Sequence, residues 1–275
     1  MKKYLLVFFI VICFTITGCV NSKTDNSVTD KDSSAVQVEK QDNTNKTPYS
    51  LHGVPVLMYH SIGVEKGNPI RMPKEQFETE MKYIKDSGYT TLTLKELYDY
   101  FENKVPVPEK SIVITLDDGY EDNYTEAFPI LKKYDLKATI FVVTSTIDKN
   151  PNCLTSEQLK ELDKTGIEIE SHTLTHRDLD SLSYNDQYKE LNDSKSFLEN
   201  LLGRSIDYLA YPTGKYNENT VKAAKAAGYK MAFTTNGRWS DKSDGILTLD
   251  RVYISTFHSM SVFKDRLTNP NYKIN

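Results

Sequence analysis

Cysteine is scarce in this 275-residue chain, with three in all, at Cys13, Cys19 and Cys153. Two of them sit in the N-terminal leader, which leaves Cys153 without a partner and excludes an intramolecular disulfide framework for the remainder. Basic residues are not in excess. Lys and Arg number 34 against 38 Asp and Glu, giving a formal net charge of −4 and a pI near 5.8, so the chain carries no electrostatic footprint for nucleic acid. No internal repeat is found, and no glycine-rich loop opens a helix, which removes solenoids and phosphate-cradling nucleotide sites from consideration. Tryptophan occurs once, whereas tyrosine occurs 18 times. Tyr-rich clefts suit ligands with both apolar faces and hydroxyls, but Tyr is equally an ordinary strand residue.

Long apolar runs are also missing. The leader's stretch from Tyr4 to about Thr17 is short for a comfortable membrane span. It follows Met1-Lys2-Lys3 and precedes Ile16-Thr17-Gly18-Cys19, a charged start, an apolar stretch and small residues before a cysteine. This resembles the bacterial lipoprotein signal, in which the cysteine is acylated and becomes the mature N-terminus; the weaker alternative is an uncleaved membrane anchor. The expected organisation is a signal peptide over 1–18, a lipid anchor at Cys19 with a tether over 19–50, and a folded domain over 51–275. The tether is dense in Asn, Ser, Thr, Asp, Lys and Gln and cannot bury enough surface to offset its ordering entropy. The protein is thereby expected to be extracytoplasmic and lipid-anchored to the cell membrane, with no protein partner evident.

What remains is enough for one sizeable domain, at 39% hydrophobic and 26% charged content overall. Val54 to His60 and Ser111 to Leu116 read as buried strands, as do Ala138 to Val143, Gly166 to Glu170, Tyr208 to Tyr211 and Tyr229 to Thr234. Tyr89 to Leu92 adds a short one. Between them, helical spacing covers Pro73 to Gly88, Leu94 to Phe101, Thr125 to Tyr134 with a break or bend at Pro129, Thr155 to Lys164, Asn185 to Leu202 and Thr220 to Ala227. Tyr188, Leu191, Phe197, Leu198 and Leu201 are expected on the inner side of the fifth of these. At least six strand–helix alternations predict an α/β fold with parallel strands and right-handed crossovers, closed or nearly closed into a barrel.

The strand beginning at Ser111 ends abruptly in Asp117-Asp118-Gly119. Two carboxylates side by side at a buried strand end repel each other and resist desolvation unless a cation or proton compensates. Ser171-His172-Thr-Leu-Thr-His176 offers two imidazoles with three residues between them, able to reach one ion from a helical turn or a tight loop. One Asp and two His make a three-ligand set with open positions, a catalytic pattern rather than a structural one. His60 also stands at a strand's carboxyl end, the side where parallel α/β folds gather their sites. On position alone it serves equally as a core histidine.

Thr115-Leu-Asp-Asp-Gly119, Ser171-His-Thr-Leu-Thr-His176 and Ala210-Tyr-Pro-Thr-Gly214, in this order, resemble the first three motifs of the polysaccharide deacetylase family, the NodB-homology carbohydrate esterases. The resemblance spans about Val54 to Ile254. It implies a distorted (β/α) barrel of about seven strands and removal of acetyl groups from acetylated glycans with a divalent metal. By position, Asp118, His172 and His176 resemble the metal ligands, Asp117 the catalytic base, and the backbone N–H of Thr213 the oxyanion donor. The family's third motif usually opens with an Arg that orients the base; the position counted three before the Pro is Leu209 here, and Arg251 is a candidate replacement. The late motif that carries the general acid is matched poorly by His258. In the branch resembling biofilm poly-N-acetylglucosamine deacetylases that histidine precedes the Asp pair, which assigns the acid to His60.

The resemblance implies a metal-dependent N-deacetylase acting on N-acetylglucosamine residues of peptidoglycan or poly-N-acetylglucosamine. Ligands of this type suit zinc, with cobalt or nickel close behind. Two other outcomes are consistent with the motifs: an O-acetyl esterase of the xylan type, and an inactive glycan-binding lipoprotein.

Overall fold

The computed structural model describes residues 53–274. The signal peptide over 1–18, Cys19 and the tether over 19–50 lie outside the described residues. Eight strands run through the described part: β1 (Val56–Tyr59), β2 (Thr90–Thr91), β3 (Ser111–Leu116), β4 (Thr139–Val142), β5 (Glu168–Ser171), β6 (Tyr208–Ala210), β7 (Met231–Phe233) and β8 (Val252–Tyr253). Seven helices lie among and after them: α1 (Lys74–Asp86), α2 (Leu94–Glu102), α3 (Phe128–Lys133), α4 (Ser156–Lys164), α5 (Tyr184–Leu202), α6 (Glu218–Ala226) and α7 (Met260–Thr268).

Every strand pair is parallel, in the order β7-β6-β5-β4-β3-β1-β8, with β2 beside the start of β3. Parallel strands need crossovers, and strands covered on both sides carry continuous apolar runs. The Val56–Tyr59 and Ser111–Leu116 strands are indeed buried at every residue. The two ends of the sheet are joined by one stretch of chain. Leu249 bonds to β7, through Leu249 N–H to the Ala232 carbonyl at 3.0 Å and Thr234 N–H to the Leu249 carbonyl at 2.8 Å, while β8 immediately after it pairs with β1. The result is the expected distorted barrel with seven strands on the ring.

Strand alternation divides the core in two. Val56, Val113, Phe141, Tyr208, Ala210, Met231, Phe233 and Leu249 form an inner cluster, to which α2 adds Leu94, Leu97, Tyr100 and Phe101. Leu57, Ile114, Ile140, Ile169, Leu209 and Ala232 face outward under the other helices. Capping residues fix the helix starts: Thr93 with Glu96, Thr155 with Gln158 and Asn217 with Thr220 make reciprocal boxes, and Gly203 ends α5 in the left-handed conformation.

Two expectations change. The helix foreseen from Thr125 starts at Phe128, with Pro129 in its first turn where a missing N–H costs nothing, and a π-helical turn at Asn123–Ala127 precedes it. Phe197 lies on the outside of α5, 41% exposed, although its spacing had placed it inward.

Glu80 of α1 is buried against β1, where it accepts from the Tyr59 hydroxyl at 2.8 Å and from Gln76. Burial pushes its carboxyl up to about 7, with the Tyr59 and Gln76 hydrogen bonds pulling the other way. Its folded pKa thus exceeds the ordinary 4.5 of the unfolded chain, and the unfolded state loses its proton first as pH rises. Stability is therefore lost between about pH 4.5 and 7, by about 3 kcal/mol through this group. Chemical denaturation across that range should show Glu80→Gln removing this part of the decline, leaving the variant closer to or above the wild type at pH 8.

Candidate metal centre

Asp117 and Asp118 leave the end of β3, His172 leaves the end of β5, and His60 leaves the end of β1, so the barrel's carboxyl end gathers all four. The adjacent aspartates are separated by backbone conformation. Asp117 continues the inward direction of Val113 and Thr115, whereas Asp118 has φ 73 and turns its carboxylate elsewhere. Such a left-handed residue is costly outside glycine and persists where the surroundings impose it. The turn is tight: a Cβ on Gly119, φ 70, would stand 2.9 Å from Val142 Cγ1.

Asp117 is buried and clamped by Arg251, whose Nη1 and Nη2 each donate to one carboxylate oxygen at 2.7 Å. Arg251 comes from the seam between Leu249 and β8, is itself fully buried, and donates through Nε to the Thr234 carbonyl and through Nη1 to Thr115 Oγ1. Burial alone would raise the Asp117 carboxyl, but the charges of Arg251, His172 and His60 overcome it and the net displacement is downward. The Arg position counted at Leu209 is corrected by parity. Leu209 points outward into the helix-covered cluster, and the inward neighbour is Ala210, whose small side chain shares the inner cluster with Phe141, over which Arg251 lies at 5.6 Å.

His172 Nδ1 lies 2.8 Å from the Ala210 carbonyl. A carbonyl only accepts, so the proton sits on Nδ1 and Nε2 keeps its lone pair. That Nε2 lies 3.5 Å from Asp118 Oδ1, and His176 Nε2 lies 3.3 Å from the same oxygen. One ligand atom from each of Asp118, His172 and His176 falls within 4.8 Å of the others, the one such cluster among the described residues. Two imidazole nitrogens, each able to offer a lone pair once unprotonated, and one carboxylate oxygen around one point are a donor set for a divalent ion of borderline softness. Burial raises the Asp118 carboxyl, yet the hydrogen bond from His176 and the charges of His172, His60 and His176 bring it well below the usual range.

The two histidines sit in an irregular loop, not a helical turn. Thr173 and His176 adopt positive φ, at 67 and 59. Glu190 of α5 holds the loop by accepting from Thr175 N–H at 2.8 Å and from the Thr175 hydroxyl, and its own carbonyl accepts from Leu174 N–H. Ser194, one helical turn on, meets Ser171 Oγ at 2.8 Å. These supports escape a search for chemistry by motif; the signal available was a run of polar residues, Gln187, Glu190 and Ser194, on the buried stripe of α5.

The His60 carbonyl accepts from Asn123 Nδ2 at 2.8 Å, and its ring Nδ1 is buried without a partner among the described residues. Asp122 beside Asn123 accepts from Ile62 N–H and the Ser61 hydroxyl, so the π-turn after the Asp pair fixes the loop carrying His60. Thr213 has φ 55 within the turn Pro212–Gly214, and its hydroxyl donates to Asp178, which also pairs with Lys215. His258 is engaged elsewhere, its Nδ1 accepting from Ser255 N–H and its Nε2 facing Arg266.

Comparison with known proteins places this geometry in context. A sequence model of the family described as polysaccharide deacetylase matches residues 104–232. The chain is similar to YxkH of Bacillus subtilis, named for the same family, at 39% identity over 95% of this chain and 96% of the relative. It is similar to the poly-beta-1,6-N-acetyl-D-glucosamine N-deacetylase of Staphylococcus aureus at 33% identity, over 66% of this chain and 67% of the relative. Among solved structures, the Streptococcus pyogenes deacetylase PplD in complex with acetate superposes with a TM-score of 0.75 at 33% identity, covering 78% of this chain and 98% of the other.

Proposed function

The chain belongs to the polysaccharide deacetylase family, and from that premise we propose that it is a metal-dependent N-deacetylase of N-acetylglucosamine residues in a cell-wall or exopolysaccharide polymer, peptidoglycan or poly-N-acetylglucosamine. One observation carries the reading: Asp118, His172 and His176 converge while the neighbouring Asp117 is held apart from them by a bidentate guanidinium. The similarity to a poly-N-acetylglucosamine deacetylase supports the substrate class.

Asp118, His172 and His176 would hold the ion, zinc by preference and cobalt or nickel as near equivalents. When bound, it supplies Lewis acidity toward an acetyl carbonyl and toward water. Asp117 takes the proton of the attacking water; the Arg251 clamp keeps it ionised and fixes the direction of its lone pairs. The Thr213 N–H donates to the oxygen that gains charge as water adds, a contact typically worth about 3 kcal/mol. His60 delivers a proton to the departing sugar nitrogen, which is otherwise too basic to leave. The leader and tether read as a lipoprotein signal and spacer would present this barrel outside the cell membrane, anchored through lipidated Cys19.

The test is acetate release by the purified protein with zinc or cobalt, on peptidoglycan and on poly-N-acetylglucosamine oligomers, with a chelator control. Chelator-sensitive release from N-acetylated polymer is expected. Release only from O-acetylated xylan would replace the reading with an esterase, and saccharide binding without release from any polymer would leave a glycan-binding lipoprotein.

The loop support gives a further expected result. Outer supports of metal ligands typically contribute about 10- to 100-fold to metal affinity. Glu190→Ala should weaken zinc binding by about that factor, measured by competition with a chromogenic chelator, with the far-ultraviolet circular dichroism unchanged.

A further inference from the structure

Arg266 of α7 presents an electrostatic anomaly. Its side chain is buried, 1% exposed, and no carboxylate among the described residues pairs with it, whereas the other fully buried arginine, Arg251, has Asp117. A buried charge without a counter-charge is expensive, and nature rarely leaves one idle. Its Nε is buried with no hydrogen-bond partner. Its Nη2 faces His258 Nε2 at 3.3 Å, but that contact supplies no acceptor. His258 Nδ1 already accepts from Ser255 N–H at 3.1 Å, so the neutral ring carries its proton on Nε2 and turns a donor toward the guanidinium. The Arg266 plane rests 4.6 Å from the Tyr272 ring centre and the Tyr272 hydroxyl oxygen lies in reach of its guanidinium, which offers some compensation for the charge but no anion, and leaves Nε unpartnered.

This unsatisfied group lines a cavity of about 340 Å³ together with His60, Thr213, Tyr253 and Thr235. His60 and Thr213 are the residues assigned above to the proton donor and the oxyanion contact. The cavity thus shares His60 and Thr213 with the site and carries, on one wall, a guanidinium whose Nε has no partner.

We propose that Arg266 is a specificity-determining residue that binds an anionic substituent of the substrate, a carboxylate or a phosphate ester on or next to the sugar whose acetamido group is cleaved. The inference rests on the deacetylase reading and sharpens it: the preferred polymer is acidic, and neutral poly-N-acetylglucosamine is the poorer substrate. Planar guanidinium donors match either oxyanion, so the chemistry shared by the two is what the pocket selects.

The experiment compares acetate release by the zinc-loaded full-length protein from three N-acetylated polymers. One is neutral poly-N-acetylglucosamine oligomer, one is a peptidoglycan strand bearing lactyl carboxylates, and one is a glycan whose N-acetylglucosamine carries a phosphodiester. The wild type should favour at least one acidic polymer by about 10- to 100-fold in kcat/KM, the range that a charged hydrogen bond supports. Arg266→Met should abolish that preference with kcat on the neutral oligomer within about threefold, and Arg266→Lys should restore part of it. Which acidic polymer is favoured separates carboxylate from phosphate. Because a buried Arg is being replaced, a measurement on the wild type stands beside it: inorganic phosphate should inhibit competitively on the acidic polymer and scarcely on the neutral one. Equal rates on all three polymers, or a preference that survives Arg266→Met, overturns the proposal. Phosphate binding measured by calorimetry and lost in Arg266→Met would sustain the anion site even if no polymer released acetate, in which case it is the deacetylase reading that fails.

Discussion

Asp117→Asn should lower acetate release by about 100- to 10,000-fold, the usual contribution of a positioned general base, while the protein binds as much zinc as before. The asymmetry between neighbouring aspartates makes this informative. Asp117 accepts two 2.7 Å hydrogen bonds from Arg251 and stays 3.9 Å from His172 Nε2, whereas Asp118 Oδ1 is within 3.5 Å of both imidazole nitrogens. An amide at 117 preserves shape but has no basic oxygen to take a proton. An amide at 118 removes the only anionic donor of the cluster, so Asp118→Asn should lose the metal itself. Metal content by mass spectrometry, alongside acetate release, separates the two outcomes. Turnover by Asp117→Asn within threefold of wild type would remove Asp117 from the reaction.

Arg251→Met should be among the most damaging substitutions for stability. It leaves the Asp117 carboxylate buried with no counter-charge, and breaking a buried pair from one side costs about 3–5 kcal/mol. For a domain of this size that corresponds to a fall in Tm of roughly 6–20 °C. Asp117→Asn in the same chain should return much of the loss, since a neutral amide needs no cation, and the double-variant cycle should show coupling of the two sites. Arg251→Lys should rescue poorly because one ammonium cannot serve both oxygens in the plane. Thermal unfolding of the four proteins gives the coupling directly; additive losses would mean that the clamp contributes little.

Much of the barrel was legible because its signals are local. The apolar runs at Val56 and Ser111 end in chemistry-bearing residues, and period-2 alternation with helical crossovers allows few other architectures. The Asp pair and the two histidines were readable as types and spacing. What could not be read was pairing at long range: Arg251 and Asp117 are 134 residues apart, and only barrel closure brings them together. Leu209 illustrates another limit, since counting back from Pro212 finds a position but not its face, and a slip of one residue exchanges the inside of a barrel for the outside. Phe197 failed for the opposite reason, as an apolar side chain at inward spacing that the neighbouring helices do not cover. Glu190 was invisible because its task, holding Thr175, has no motif.

The seam at residues 246–253 gives the molecule a built-in check on its own completeness. A chain cut before Ile246 would retain His60, Asp117, Asp118, His172, His176 and Thr213, the candidate inventory for the reaction, yet it would lack the stretch that ties β7 to β1 and the guanidinium that anchors the base. Ribosomal synthesis delivers that stretch after every one of those groups. A chain lacking it would hold those groups without the guanidinium that anchors Asp117, so docking of β8 on β1 joins closure of the barrel to the positioning of that carboxylate through a single arginine.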